Sequence, residues 1–374
     1  MQIAIIGAGI GGLAAGLACQ QAGIGFELFD GAERPLEGGV ALTLWPNALL
    51  ALQEIGALEQ GRDWMHFIQH GSLRTDTNRN LLHLPLTWMQ TTYGFQPICL
   101  ARRELTTRLY EALGRPTIHK AHCHKVVPTG GRVTVQFLDR PAEDFDAAIA
   151  ADGIHSAVRY QLAGDSKRPV NYTAWRGIAV NAHVNGASMC EYVGPGLRFG
   201  YATMSASLTY WFATVNNHLL PPDPHVLWSQ VAERFSGFPE PVSSCILHTP
   251  FHHVLQSPVA DVRPGIPMAM HNVALLGDAA HAITPNLGLG ACLALEDAKA
   301  LARVLMSRES LSHAFARYAQ NRRLRVAAIA RFTRCLGQAL QLEHPFLISS
   351  RNALIRQAPD AISHRVWKAV LGER

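Results

Sequence analysis

No Cys-x-x-Cys pair, no block of five or six basic residues and no uncharged apolar run of about 18 residues, the length a membrane span needs, occurs in this sequence. The seven cysteines (Cys19, Cys99, Cys123, Cys190, Cys245, Cys292 and Cys335) are odd in number and scattered. That pattern fits a reducing cytoplasm better than a disulfide framework, so the expected localisation is cytoplasmic. Charged residues are scarce at 16%, against 48% hydrophobic ones, which excludes a disordered chain and reads as a globular enzyme. A net charge of only +5, with Lys and Arg dispersed, argues against a nucleic-acid partner and suits anionic cofactors and acidic or phenolic substrates. The apolar N-terminus lacks the basic stretch that opens a signal peptide. A length of 374 residues allows two or three structural units.

What is present is glycine in two special places. Gly7-Ala8-Gly9-Ile10-Gly11-Gly12 directly follows the apolar run Ile3-Ala4-Ile5-Ile6. That run reads as a strand buried on both faces. Leu13 to Cys19 continues as an Ala/Leu-rich helix, and Phe26-Glu27-Leu28-Phe29-Asp30 as a second strand. In this strand-turn-helix-strand setting Gly7 allows the tight turn, Gly9 lets backbone approach a pyrophosphate, and Gly12 lets helix and strand pack closely. The helix N-terminus offers free N–H groups to the phosphates. Asp30, ending the second strand, is placed to bind ribose hydroxyls.

The second signature is Gly277-Asp278-Ala279-Ala280-His281, then Pro285 and Gly288-Leu289-Gly290. It follows His271-Asn272-Val273-Ala274-Leu275-Leu276, another buried strand, and precedes a helix over Leu289 to Leu305. Asp278 is placed to bind a polyol hydroxyl. Pro285, Gly288 and Gly290 let a flat ring lie against backbone, and the incoming helix dipole favours negative charge on that ring. Two such signatures at opposite ends of the chain point to one long dinucleotide gripped at both ends, FAD bound non-covalently.

Two further stretches complete the pattern: Ala101-Arg102-Arg103-Glu104-Leu105, opening a helix, and Ala151-Asp152-Gly153-Ile154-His155-Ser156-Ala157-Val158-Arg159. With them the chain resembles the single-component flavoprotein aromatic hydroxylases, the para-hydroxybenzoate hydroxylase-like FAD-dependent monooxygenases, over nearly its whole length. The resemblance implies that Arg102 contacts FAD, that Asp152 lies near its pyrophosphate and is linked to NAD(P)H handling, and that Val126 packs backbone against adenine. Gly11, Gly31 and Val40 join the implied cofactor-binding set. Leu289 stands where the family commonly has glutamine, and Ala151 where it commonly has glycine. Neither change removes a charged group from the cofactor. Gly194-Pro195-Gly196 lacks the spacing of a dinucleotide turn and reads as an ordinary turn, so no second Rossmann domain for NADH or NADPH is expected.

The resemblance further implies an α/β fold. A Rossmann-like FAD-binding domain, with a βαβ unit and a parallel sheet, is discontinuous over 1–70, 98–168 and 267–340. A substrate domain with a mainly antiparallel sheet takes 71–97 and 169–266, and a helical segment takes 341–374. In the substrate part, Tyr192 to Met204 and Leu208 to Asn216 read as strands, with Tyr210 and Phe212 on one face and Trp211 on the other. Phe346 to Leu371 reads as amphipathic helix broken at Pro359, positioned to cover the active site, to dimerise or to lie on a membrane surface. The oligomeric state stays open between monomer and homodimer.

The cluster His119, His122, Cys123 and His124 invites a metal reading, but its position matches the family strand leading to Val126, and no metal is expected. His281 reads as architectural. Thr43 and Trp45 stand where the family chain passes the flavin edge. Arg176 is read as part of a crossing loop rather than a carboxylate anchor. The implied chemistry is NAD(P)H-driven reduction of FAD, uptake of O2 as a flavin C4a-hydroperoxide, and hydroxylation of an electron-rich aromatic or heteroaromatic ring, with water excluded. Tyr201, Tyr210 and His83 are the candidates for the catalytic base. The segment pattern is similar to hydroxylases of alkylquinolones, hydroxynicotinate, salicylate or urate, with the tail from Gly337 to Leu354 favouring a quinolone-type substrate. Another flavin oxidoreductase, or a non-catalytic dinucleotide-binding protein, is the alternative. No W-x-W segment supports a halogenase.

Overall fold

Strand Gln2–Ile6 lies at the centre of a six-stranded sheet, and Ile3, Ala4 and Ile5 are wholly buried, as its continuous apolar run requires. The computed structural model describes residues 1–37, 39–58, 63–220, 228–307 and 309–372. Strands Ala147–Ala150 and Gly25–Asp30 flank the central strand in parallel, Val273–Leu275 and Ile118–Lys120 extend it in parallel, and Ala269–Met270 adds one antiparallel edge. Helix Ile10–Gln21 is buried along most of its length, so small and apolar residues fill it on every side. Helix Gly290–Leu305 shares the same core. A three-stranded antiparallel sheet (Cys123–Thr129, Arg132–Phe137 and Glu143–Phe145) stands beside this layer.

A second sheet of seven strands runs in the order Leu255–Val262, Lys167–Val180, Leu208–Asn216, Leu197–Thr203, Ser188–Gly194, His70–Thr75, Asn80–His83. All its pairings are antiparallel except Ser188–Gly194 with His70–Thr75. The strand-like run Tyr192 to Met204 is a hairpin, with Gly194-Pro195-Gly196 as the turn it was read to be. It breaks at Gly194-Pro195-Gly196, where Pro195 has no N–H to donate and Gly196 takes φ +67°. The outer face of this sheet carries its own aromatic core. Trp211 stacks on Phe199 at 5.4 Å and on Trp228 at 4.9 Å, and its Nε1 donates to Thr249 Oγ1 at 2.8 Å.

The chain crosses between the two sheets more than once. Within 71–97, two strands enter the seven-stranded sheet, whereas helix Leu86–Tyr93 packs its Leu86, Met89 and Tyr93 into the core of the parallel sheet. From residue 310 onward the basic stretch forms one 30-residue helix, Leu311–Leu340, rather than several. Helices Pro345–Gln357 and Asp360–Leu371 follow, separated at Ala358 and Pro359. The last helix is docked. Trp367 lies 4.4 Å from the Trp45 ring, His364 stacks on Trp88 at 4.9 Å, and Tyr93 donates its hydroxyl proton to the Gly372 carbonyl at 2.8 Å. Among the described residues no helix is long and apolar enough to cross a membrane.

Candidate active site

Four sequence stretches converge at the carboxyl ends of the parallel strands, where open α/β sheets hold their ligands. Gly7 takes φ +100°, and a Cβ there would stand 2.3 Å from the Ala151 carbonyl and 3.0 Å from the Asp152 amide nitrogen. The first glycine turn thus sits directly on the Ala151-Asp152 stretch. A Cβ on Gly12 would meet the Gly7 carbonyl at 1.7 Å, and one on Gly11 would meet Leu276 at 2.8 Å. Helix, turn and both motif strands approach this closely only because those three residues are glycine. Asp30 Oδ2 accepts the Ala8 amide at 2.7 Å and Oδ1 the Ala32 amide at 2.8 Å, which fixes the carboxylate beside the turn with a lone pair left on each oxygen. Gly31 follows, against the His122 ring.

Arg159, in the helix after Asp152, joins the middle motif to the last. Its guanidinium donates to the Ile154 carbonyl at 2.5 Å and to the Ala279 carbonyl at 3.1 Å. Asp152 accepts the Ala157 amide through Oδ2 at 2.9 Å. Its other oxygen is buried with no partner, and burial raises the carboxyl's pKa against the hydrogen bonds that oppose it. Val126 is buried, and both of its backbone polar groups are bonded to the side-chain amide of Gln161, at 3.0 and 2.6 Å. His122 is held by Asp139 at 2.7 Å, and among the described residues no group of three His, Cys, Asp or Glu is arranged to hold a metal ion.

Arg102 opens helix Arg102–Ala112, and its amide donates to the Val40 carbonyl at 3.2 Å. Its guanidinium reaches to 3.8 Å from where a Gly9 Cβ would stand, and among the described residues no other atom beyond the chain neighbours comes within 4 Å of that point. Arg102, Thr43, Trp45, Asp278, Pro285, Gly288 and Gly290 line one cavity of about 610 Å³. Trp45 Nε1 donates to the Leu287 carbonyl at 2.7 Å, which ties the Trp45 segment to the Pro285–Gly288 loop. Behind this loop lies a buried charge cluster. Asp297 accepts the Gly277 amide at 3.0 Å, His281 Nε2 at 2.5 Å and Arg322 Nε at 2.6 Å. Burial alone would raise the Asp297 carboxyl, but His281 and Arg322 outweigh it and hold the group at about 2. His281 is therefore a structural partner, as its sequence position suggested.

The rest of the cavity belongs to the inner face of the seven-stranded sheet and to the C-terminal helices. One transverse row crosses the sheet: Arg176 opposite Phe212, Phe212 opposite Gly200, Gly200 opposite Glu191, Glu191 opposite Leu73. Arg176 lies within strand Lys167–Val180 and lines the cavity, not in a crossing loop as expected; the strand simply runs through the Trp175-Arg176-Gly177 stretch. Its guanidinium lies close enough to act on the Tyr210 hydroxyl, and no described carboxylate lies within ion-pair distance of it. Burial pushes the Tyr210 phenol up to about 12, with the Arg176 charge pulling the other way. Tyr210 thus lines the cavity as a protonated phenol at neutral pH, able to donate a hydrogen bond.

The two other expected bases are oriented differently. Tyr201 is among the residues lining the cavity, yet it alternates toward the outer face of the sheet, where its ring is 6.5 Å from Tyr192 and packs with the tryptophan core. Burial pushes its phenol to about 12 as well. His83 is exposed and faces that same outer side opposite Ser72, while its neighbours Leu82 and Leu84 line the cavity. In their place the sequence reading missed Glu191, Arg198 and Asn286. Arg198, almost fully buried, donates through Nε to Glu191 Oε1 at 2.6 Å and through Nη1 to Asn286 Oδ1 at 2.6 Å. Tyr172 also donates to Asn286, at 3.2 Å. A carboxylate on the cavity wall is thereby tied to the loop after Pro285.

The remaining arm of the cavity is apolar. Phe332, Leu336 and Leu340 from helix Leu311–Leu340, and Val366, Trp367 and Val370 from the last helix, line it. Phe332 and Val366 are also partly exposed, so the arm reaches the surface between these two helices.

The glycine cradle fits FAD: a turn kept free of side chains, an open approach at Gly9 flanked by a guanidinium, and an unpartnered buried carboxylate oxygen beneath it. Fold and site together define an FAD-dependent monooxygenase of aromatic substrates. Comparison with known proteins agrees. A model of the FAD binding domain family matches residues 1–333, and the chain belongs to that family. It is 32% identical to the aurachin C monooxygenase/isomerase of Stigmatella aurantiaca over 95% of this chain and 94% of that protein. It is 29% identical to the 2-heptyl-3-hydroxy-4(1H)-quinolone synthase of Pseudomonas aeruginosa over 98% and 96%. HpxO of Klebsiella pneumoniae, solved with FAD and uric acid, superposes with a TM-score of 0.90 at 26% identity over 99% and 97%.

Proposed function

We propose that this hydroxylase acts on a bicyclic heteroaromatic ring of the 4-quinolone kind that carries an apolar chain. The carrying observation is the two-part cavity. A polar row on the sheet faces the cofactor loops, and an apolar arm between the C-terminal helices leads to the surface. A ring without a chain would leave that arm to water, and water at the reacting centre wastes the oxidant. The aurachin C monooxygenase/isomerase and the 2-heptyl-3-hydroxy-4(1H)-quinolone synthase match 95% and 98% of this chain, which gives the reading further support.

The placement of the residues supports the following cofactor roles. Gly7, Gly9, Gly11 and Gly12 with the helix start at Ile10 hold the pyrophosphate, Asp30 the ribose, and Arg102 and Asp152 flank the phosphates. Gly31, Val40 and Val126 complete the adenosine end. Asp278 holds the polyol chain, and Pro285, Gly288 and Gly290 bed the flavin ring. Bound FAD, reduced by the NAD(P)H typical of the family, supplies activated dioxygen. The ring lies against Phe212, which rests on Gly200. Tyr210 and Arg176 donate hydrogen bonds to its exocyclic oxygen and favour the electron-rich form. Leu336, Leu340 and Val370 hold the chain and keep water out.

The test is substrate-dependent NAD(P)H oxidation with product mass analysis, because uncoupled effectors also stimulate oxidation. 2-Heptyl-4(1H)-quinolone, the same ring without its chain, and urate are compared. The expected result is an added oxygen on the alkylated ring with a kcat/KM well above the other two. Efficient coupled hydroxylation of urate or of simple phenols alone would overturn the reading.

A further inference from the structure

The transverse row across the seven-stranded sheet has opposite charges at its two ends. Arg176 and Glu191 are separated by three strand spacings, about 14 Å between their backbones. Between them stand only Phe212 and Gly200. A Cβ on Gly200 would lie 2.3 Å from the Phe212 ring, so that ring is folded over the glycine and presents a flat apolar surface at the middle of the row. A planar substrate stacked there has one edge toward a cation with its phenol partner and the other toward a carboxylate.

The carboxylate is prepared for a ligand. Arg198 takes Glu191 Oε1 through both Nε and Nη2, while no described residue bonds Oε2. Glu191 lines the cavity and its side chain retains 20% exposure, so this free oxygen has an open approach. The other charged and titratable groups acting on it are Arg198 itself, Arg351 from helix Pro345–Gln357, Tyr172 and Cys190. Arg198 is fixed in turn by Asn286, in the loop that beds the cofactor ring.

The geometry points to Glu191 as the proton acceptor for a ring N–H, with Arg176 and Tyr210 holding the oxygen on the opposite edge of the same ring. This deepens, and rests on, the quinolone-type reading. In a 4-quinolone the ring nitrogen and the carbonyl oxygen lie on opposite edges and are conjugated through the carbon–carbon double bond between them. Glu191 Oε2 accepts the N–H proton, and the N–H bonding pair passes into the ring. Negative charge then builds on the exocyclic oxygen, where Arg176 and the Tyr210 O–H stabilise it, and on the adjacent ring carbon, which becomes the nucleophile. Arg198 is a positioning residue: it holds Glu191 in place and does not touch substrate.

The probes are 2-heptyl-4(1H)-quinolone and its N-methyl derivative, offered to the FAD-loaded protein. Product formation gives kcat and KM, and titration of the oxidised protein without NAD(P)H gives Kd. Positioned proton transfer contributes about 10²- to 10⁴-fold. Glu191→Gln is expected to lower kcat for the N–H compound at least 100-fold with bound FAD unchanged. Wild-type protein should lose a similar factor on the N-methyl compound, and Glu191→Gln should cost nothing further on it. Arg176→Met should raise the Kd of the N–H compound about tenfold. The N-methyl comparison needs no variant, so it holds even if Glu191→Gln leaves Arg198 uncompensated and the protein fails to fold. If wild-type protein hydroxylates the quinolone but also accepts the N-methyl compound equally well, or Glu191→Gln stays within threefold of wild type, the assignment of Glu191 is wrong while the substrate reading stands. If wild-type protein hydroxylates no 4-quinolone, both fall together.

Discussion

Replacing Asp297 by asparagine keeps the shape of the side chain and removes its charge from the most enclosed ionic cluster of the site. Asp297 is fully buried and bonded to Arg322, His281 and the Gly277 amide. Its carboxyl is held at about 2, below the ordinary value of 3.8 for an aspartate. The difference corresponds to about 2 kcal/mol of folding free energy by proton linkage. A second route gives a comparable figure. Breaking a buried ion pair costs about 3–5 kcal/mol, but Arg322 keeps its second partner, Glu296 at 2.8 Å, which lowers the loss. Asp297→Asn is therefore expected to destabilise the FAD-loaded protein by about 2–3 kcal/mol at pH 7, read from urea unfolding at fixed FAD concentration. Because the folded pKa is depressed, this contribution is present in full above the unfolded value near 4 and is lost as pH falls toward 2. The gap between variant and wild type should hold between pH 7 and 5 and begin to close below pH 4. A gap under about 0.5 kcal/mol at pH 7, or one that closes between pH 7 and 5, would refute the account of a compensated buried cluster behind the Gly277 turn.

Two other substitutions test the cofactor and substrate walls. If Asp278 holds the flavin's polyol chain as proposed, Asp278→Ala removes a charge-assisted hydrogen bond, a loss of about 1.5–3 kcal/mol; the FAD dissociation constant, followed by flavin fluorescence, should rise at least tenfold, and an unchanged value would remove Asp278 from the site. Gly200→Ala places a Cβ on the Phe212 ring and drives that ring into the cavity. Substrate KM should rise while the unfolding midpoint moves little, because the ring has open space to enter. Adding Phe212→Ala should relieve the clash, and a wild-type KM in Gly200→Ala alone would dispose of the stacking surface.

The cofactor half of this protein was legible in its sequence because glycine there answers to a local steric demand. Gly7 and Gly12 are required by carbonyl oxygens 2.3 and 1.7 Å from where their Cβ atoms would stand, and no other residue satisfies that. The buried strands gave the same information through unbroken apolar runs such as Ile3 to Ile6. The substrate wall was harder, because the identity of a wall residue depends on strand register, which a list of aromatic residues does not contain. Tyr201 and Tyr210 look alike in sequence, yet alternation about the hairpin sends one ring outward to Tyr192 and the other to Arg176 in the cavity. The signal that separates them was present at Gly194-Pro195-Gly196. Once those residues are a tight turn, Gly194 pairs with Leu197, and counting back along both strands sets Glu191 opposite Gly200. Tyr210 and Phe212 then share the face of Glu191, since Phe212 also pairs with Gly200. Arg176 needed a longer step, because its place depends on the pairing of Lys167–Val180 with Leu208–Asn216, strands joined through the whole intervening hairpin. Local sterics thus make the glycine cradle legible from sequence, whereas the residues of the cavity wall become visible only after the pairing of distant strands is known.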